Sequence, residues 1–301
     1  MLRSKFVGCL VGSAVGDALG SSFEGSRVSE AKIERFSGRW TDDTHMMIGV
    51  AESMITNKGF DGSHMTQIFI KNYELEPWRG YASGPPRVFR WVASGVPWNE
   101  AAKRLFSGAG SYGNGAAMRV APIGVFYHDD LEQLRVVACG QSRITHVHEL
   151  GMEGAAIQAY AVALAVTAYP FSELNSHSFL RKLKDFTHNE VYKRKLERVW
   201  KLLGETNKGR IARELGNGVE AYNSVPTAIY CFLRNQGSFE DSVLYAISLG
   251  GDTDTIGAMT GAISGAHHGV EAIPKRWKSR LERGDYIEEL AEKLLLTKNR
   301  K

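Results

Sequence analysis

The sequence predicts an all-α protein, with residues 1–301 forming a single domain. Three observations carry that expectation. Apolar residues recur at helical spacing through most of the chain, alternating strand-like runs are nearly absent, and no shift in composition marks a second domain or a repeat.

The elements follow in order. Residues 5–19 form the first periodic run, and 43–56 the second, opened by the cap-like "WTDDT". Further helices are expected at 64–73 and 99–106, on either side of a glycine- and proline-rich joint at 77–86. After a second joint at 107–115, "MRVAPIGVFY" at 118–127 is the one stretch that tempts a strand assignment. Helices then read at 131–142, 150–168, 179–185, 191–203, 208–214, 225–235 and 239–248. The joint 249–252 precedes the last two, at 255–267 and 286–296.

Composition bounds the function. The chain is 43% hydrophobic and 23% charged, with no long polar tract, as expected of a globular protein. Its net charge of +4 is small for 301 residues. Lys and Arg gather at 181–213 and 275–283, alternating with apolar positions as on solvated helix faces, so no nucleic-acid partner is expected. An anionic small ligand remains compatible. Cys9, Cys139 and Cys231 form no CxxC pair, and an odd count argues against a disulfide framework; a reducing, cytoplasmic setting is expected. The apolar N-terminus is broken by glycines and closed by Asp17, so it reads as a mature helix too short to span a bilayer, with no membrane partner.

Two helices carry glycine at every fourth position: Gly8, Gly12, Gly16 and Gly20, and Gly257, Gly261, Gly265 and Gly269. On a helix this makes a stripe bare of side chains, which another backbone can approach closely. Close packing is the expected use, and it would hold the ends of these helices rigidly.

Those ends are acidic. Thr41, Asp42 and Asp43 precede one helix; Asp252, Asp254 and Thr255 open another. Ordinary capping explains each cluster alone. Together they offer only hydroxyl and carboxylate oxygens, which suit Mg²⁺, Mn²⁺ or Ca²⁺ rather than zinc. If the two starts converge, four carboxylates share a small volume and call for divalent cations. His146 and His148, the pair His267 and His268, and His45 read more simply as packing, surface or cap-following residues. No GxSxG elbow supports serine chemistry.

The loop "SGAGSYGNGAAMRVAPIG" at 107–124 places Gly108, Gly110, Gly113 and Gly115 where backbone amides can converge on a phosphate. Phe106 and Tyr112 flank it and can stack on a base. A plain flexible loop is the alternative.

The blocks "GDALGSSFEG", "WTDDT", "GSYGNGAAMRVAPIG", "SVPTAIYCFLRN" and "SLGGDTDTIGAMTGAISGA" together resemble the ADP-ribosylglycohydrolases, over about residues 6 to 270. "ELGNGVEAYNSVPTAIYCFLR" and "GSYGNGAAMRV" look closest to the branch that hydrolyses O-linked ADP-ribose, on serine and in poly(ADP-ribose). The resemblance implies a compact orthogonal multi-helix domain with two Mg²⁺ ions at the bottom of a cleft, Mn²⁺ being the alternative ion. It implies Thr41, Asp42, Asp43, Asp252, Asp254 and Thr255 as metal ligands, and Glu24, Asp42 and Asp43 as catalytic residues, Glu24 on a flap leading to Thr41. Gly110, Ser111, Tyr112, Gly113, Asn114 and Gly115 match the loop that holds the diphosphate and distal ribose. Phe106 matches the adenine-stacking aromatic, His146 a substrate-contacting histidine, and Val219 a substrate-lining aliphatic residue. The implied partners are ADP-ribose-bearing proteins or small molecules, including O-acetyl-ADP-ribose, met by a monomer. An arginine-ADP-ribose hydrolase shares the metal motifs and is the main alternative. A non-catalytic, crystallin-like binder would be expected to carry damaged motifs, and both are intact here.

Overall fold

The computed structural model describes residues 1–25, 36–169 and 174–300. The helices among them are α1 (Leu2–Gly20), α2 (Asp42–Asn57), α3 (Gly62–Leu75), α4 (Gly84–Ala93), α5 (Trp98–Ala101) and α6 (Gly115–Met118). They continue as α7 (Ala121–Phe126), α8 (Leu131–Ser142), α9 (Glu149–Thr167), α10 (Ser176–Phe186), α11 (Glu190–Leu202) and α12 (Lys208–Leu215). The series ends with α13 (Ala221–Arg234), α14 (Phe239–Ser248), α15 (Thr253–His268), α16 (Lys275–Lys278) and α17 (Gly284–Lys298). No strand occurs among the described residues; Gly113 and Glu220 form an isolated antiparallel bridge.

Four local expectations are corrected. "MRVAPIGVFY" forms the end of α6 and then α7, not a strand. All of α7 is buried, so neither helical nor strand periodicity could show, and Pro122 sits in its first turn where a missing N–H costs nothing. The joint at 77–86 ends in Gly84-Pro85-Pro86, which starts α4 for the same reason. The run 99–106 is α5 followed by a 3₁₀ turn that breaks at Leu105–Ser107. Finally, α13 begins at Ala221, four residues early, with Pro226 accommodated inside it.

At the centre, α1 and α15 lie antiparallel with every residue of Lys5–Gly20 and Thr253–His268 buried. The glycine stripes explain how. A Cβ on Gly16 would fall 2.0 Å from the Gly257 carbonyl oxygen, on Gly12 2.5 Å from that of Gly261, and on Gly8 2.4 Å from that of Gly265. Only hydrogen fits between these backbones. Helix α9, long and apolar enough in composition to cross a membrane, is buried along most of its length against this pair. Outside, α10, α11 and α12 bury one face each (Leu183, Val199 and Ile211 among others) and turn Lys and Arg to solvent. The antiparallel register has one consequence for chemistry: the C-terminal end of α1 meets the N-terminus of α15.

Candidate active site

Asp17, fully buried near the end of α1, organises the first acidic motif. Its carboxylate accepts the N–H of Thr41 (3.1 and 3.0 Å) and of Thr44 (3.1 Å), and the hydroxyls of Thr41 (2.9 Å) and Thr44 (2.6 Å). This fixes the start of α2, where Thr41 Oγ1 also caps the Asp43 N–H at 3.3 Å. From the other side, the Asp42 N–H donates to the Arg79 carbonyl at 2.7 Å. Arg79 lies 3.8 Å over the Trp40 ring and pairs with Glu76 and Glu282 at 2.6 and 2.7 Å. Neither Asp42 nor Asp43 is consumed by capping. Asp43 Oδ2 is buried with no hydrogen-bond partner among the described residues.

The second motif is placed by the glycine turn. Gly250 and Gly251 adopt φ of 69° and 79°, and a Cβ on Gly251 would sit 2.1 Å from the Asn217 carbonyl oxygen. Asp252 donates its N–H to that carbonyl at 2.8 Å, while its Oδ2 accepts from Asn114 Nδ2 at 2.5 Å. Thr253 Oγ1 bonds the Gly20 carbonyl at 2.8 Å, joining the two central helices at the site. The Gly25 N–H reaches the Gly251 carbonyl at 3.1 Å, which brings exposed Glu24 over the cluster. Carboxylate oxygens of Glu24, Asp252 and Asp254 lie within 4.8 Å of one another. The stretch 26–35, where the flap toward Thr41 is expected, lies outside the described residues.

Burial and crowding leave these acids poorly ionised. Asp42 is pushed up to about 8, first by burial and then by the Asp17 and Asp254 charges. Burial and then Asp252 raise Asp254 to about 8, and burial and then Asp254 raise Asp17 to about 7. Asp43 is raised well above the usual carboxylate range by burial and then Asp254, and Asp252 is raised by burial. An oxygen-only donor set under mutual repulsion, with one buried carboxylate oxygen unpartnered, fits a hard divalent cation and does not fit zinc. The histidines take other work. His148 caps α9 by accepting the Leu150 N–H, His45 packs on Trp40 and bonds Tyr81, and His267 and His268 lie at the far end of α15.

These groups floor a cleft of about 270 Å³. Every sequence-predicted site residue lines it except Gly108, Gly110 and Tyr112. Tyr112 hands its carbonyl to the Ala221 N–H and packs edge-on against His148, so its ring turns away from the cleft. Gly110, at φ 73°, is required because a Cβ there would meet the Val147 side chain at 2.3 Å. Asn114 is in place, and its Nδ2 donates to Asp252 and Ser224. Gly113 and Gly115 make room for the His146 ring, 3.4 and 2.7 Å from a Cβ at each. His146 itself is held at about 3 by burial and then by Arg119, hence neutral, with Nδ1 2.7 Å from Thr145 Oγ1. At the rim, Phe106 is 59% exposed and takes a left-handed backbone (φ 50°), as does Ser107 (φ 57°). Such strain costs about 1 kcal/mol or more per residue and keeps an apolar ring in solvent, where a planar ligand can cover it.

Sequence reasoning missed Asp17, Arg119 and the α4 start, where Ser83, Gly84 and Pro85 line the cleft. A signal existed for two of them. Asp17 and Arg119 are charges inside otherwise apolar runs, "VGDAL" and "AAMRVAP", and buried charges need partners.

Known proteins resemble this chain throughout. The family model described as ADP-ribosylglycohydrolase matches residues 1–301. The ADP-ribosylhydrolase ARH3 of Danio rerio is 36% identical, over 98% of this chain and 90% of that protein. The ADP-ribosylarginine hydrolase Tri1 of Pseudomonas putida is more distant, 24% identical over 95% of this chain and 76% of that protein. A solved structure titled ADP-ribosylglycohydrolase-related protein complex superposes with a TM-score of 0.80 at 26% identity, covering 99% of each chain.

Proposed function

Because the chain belongs to the ADP-ribosylglycohydrolase family, we propose that it hydrolyses the O-glycosidic bond between ADP-ribose and an acceptor such as serine, a further ADP-ribose unit or an acetyl group. One observation carries this reading: two acidic helix starts some two hundred residues apart in sequence converge on one cleft, beside a glycine loop and a solvent-facing aromatic.

Thr41, Asp42, Asp43, Asp252, Asp254 and Thr255 would hold two Mg²⁺ or Mn²⁺ ions. Bound there, the ions would orient the ribose hydroxyls and make a water nucleophilic at neutral pH. The remaining work falls to the chain. Glu24 faces the cluster from the solvent side, where a carboxyl can pass a proton to the departing oxygen or take one from the water. In the reaction the bond from the anomeric carbon to the acceptor oxygen breaks, water oxygen bonds to that carbon, and the acceptor leaves with a proton. Positive charge develops on the sugar as the bond lengthens, which the surrounding carboxylates stabilise. Asn114 holds Asp252 in place, neutral His146 offers a hydrogen bond to the substrate, and the 111–115 backbone accommodates the diphosphate. Phe106 covers the adenine, so binding energy far from the reacting carbon aligns it.

The decisive assay supplies serine-linked, polymeric, O-acetyl and arginine-linked ADP-ribose separately and detects released ADP-ribose by mass spectrometry. Turnover of the O-linked substrates is expected. Turnover of the arginine-linked substrate alone would overturn the O-glycosidic reading.

A further inference from the structure

We propose that Arg119 is the fixed positive charge that lets this cleft bind an anionic diphosphate next to an acidic metal cluster, acting through the cleft wall. The inference rests on the ADP-ribose reading above. Arg119 is 0% exposed, and its hydrogen bonds among the described residues go to Gln141 and Met46 and not to a carboxylate, although the Asp42 charge lies near enough to act on it. Its Nε donates to Gln141 Oε1 at 2.7 Å and its Nη2 to the Gln141 carbonyl at 2.9 Å. Gln141 is in turn locked by its own bond to the Ala116 carbonyl, 2.9 Å, at the base of the glycine loop. The remaining nitrogen, Nη1, meets the Met46 sulfur at 3.6 Å, and the guanidinium carbon sits 4.8 Å over the Phe69 ring.

A buried guanidinium with no directly bonded carboxylate is costly, and this one borders the cleft. Among the described residues it is the single Lys or Arg that lines the cleft, against Glu24, Asp42, Asp43, Asp252 and Asp254. A ligand with two phosphate charges entering such a cleft is repelled by every acid not neutralised by a cation. Arg119 supplies a positive potential from a desolvated position, where charges are weakly screened. The same potential opposes cation binding. The two effects have opposite signs, which separates this role from a purely structural one.

Isothermal titration of the folded protein reads both: Mg²⁺ alone, then ADP-ribose at saturating Mg²⁺. Arg119→Met is expected to weaken ADP-ribose binding about ten-fold and to tighten Mg²⁺ binding a few-fold, the order of one unit charge acting over several ångströms at an effective dielectric of about 20. Arg119→Lys, which keeps the charge and loses the Gln141 geometry, should restore most of both. Gln141→Glu keeps Arg119 and cancels its field with an adjacent carboxylate, so it should reproduce the Met pattern if Arg119→Met does not fold. Parallel loss of both ligands, unchanged affinities, or failure of all three variants to fold would each overturn the proposal. A wild-type protein that binds no ADP-ribose would strike the substrate reading instead, leaving the Mg²⁺ titrations to judge Arg119.

Discussion

Replacing Gly16 by alanine tests whether the glycine stripes connect the core to the chemistry. The new methyl carbon would lie 2.0 Å from the Gly257 carbonyl oxygen and 2.4 Å from its carbonyl carbon, both backbone atoms with no rotamer to escape through. Ordinary contact requires α1 and α15 to separate by about 1.2 Å or more. Overpacking of this kind costs roughly 1–3 kcal/mol, and the gain in helix propensity returns at most about 1 kcal/mol. A net loss of about 1–2 kcal/mol should lower the melting temperature by roughly 2–3 °C in a chain of this size. Activity should suffer too, because Gly16 adjoins Asp17 and lies one helical turn from Gly20, which packs on Thr253 and Asp254. Gly8→Ala is the control. Its methyl would meet the Gly265 oxygen at 2.4 Å, but about 13 Å along the helix from Asp17. Circular-dichroism melts, with kcat/KM measured well below the transition, separate the two. Both variants should lose stability, and Gly16→Ala alone should lose much of its turnover. Wild-type melting and turnover in Gly16→Ala would refute the idea that the close helix pair sets the site.

Other outcomes follow from the acidic cluster. Asp42→Ala and Asp254→Ala should abolish turnover while the helical circular-dichroism signal is retained; appreciable activity in either would remove that carboxylate from the centre. Glu24→Gln should bind ADP-ribose normally in titration calorimetry and turn over slowly, and wild-type turnover would exclude Glu24 from proton transfer. Asn114→Ala frees Asp252 and should weaken Mg²⁺ binding about 10- to 100-fold, measured by calorimetry. The raised carboxyls also set a pH dependence in metal-free protein. Asp17, Asp42 and Asp254 bind protons more tightly folded than unfolded, so their contribution to stability is intact below about pH 4 and is lost as pH rises through 7 to 8. Melting temperature in a chelator should therefore fall from pH 5 to pH 8, with Mg²⁺ raising it most at pH 8. A flat or rising profile in the chelator would contradict the assignment of buried, mutually repelling acids.

Local patterns in the chain were enough for the helices that show one face to solvent. Residues 131–142 and 239–248 fold between the very boundaries that periodicity and caps predict. The two acidic motifs and the glycine stripes were legible as well, because their residues are neighbours in sequence and their spacing is itself the signal. In α7, wholly buried and only six residues long, the periodic contrast vanishes and no length remains to tell helix from strand. Long-range pairing was beyond reach in the same way. That Asp17 anchors Thr41 and Thr44, that Asn114 bonds Asp252, and that Tyr112 packs on His148 outside the cleft lining all depend on which segments meet. The antiparallel lock of α1 on α15 decides those meetings: it brings the ends of distant helices together, and interaction strength follows distance in space, not separation along the chain.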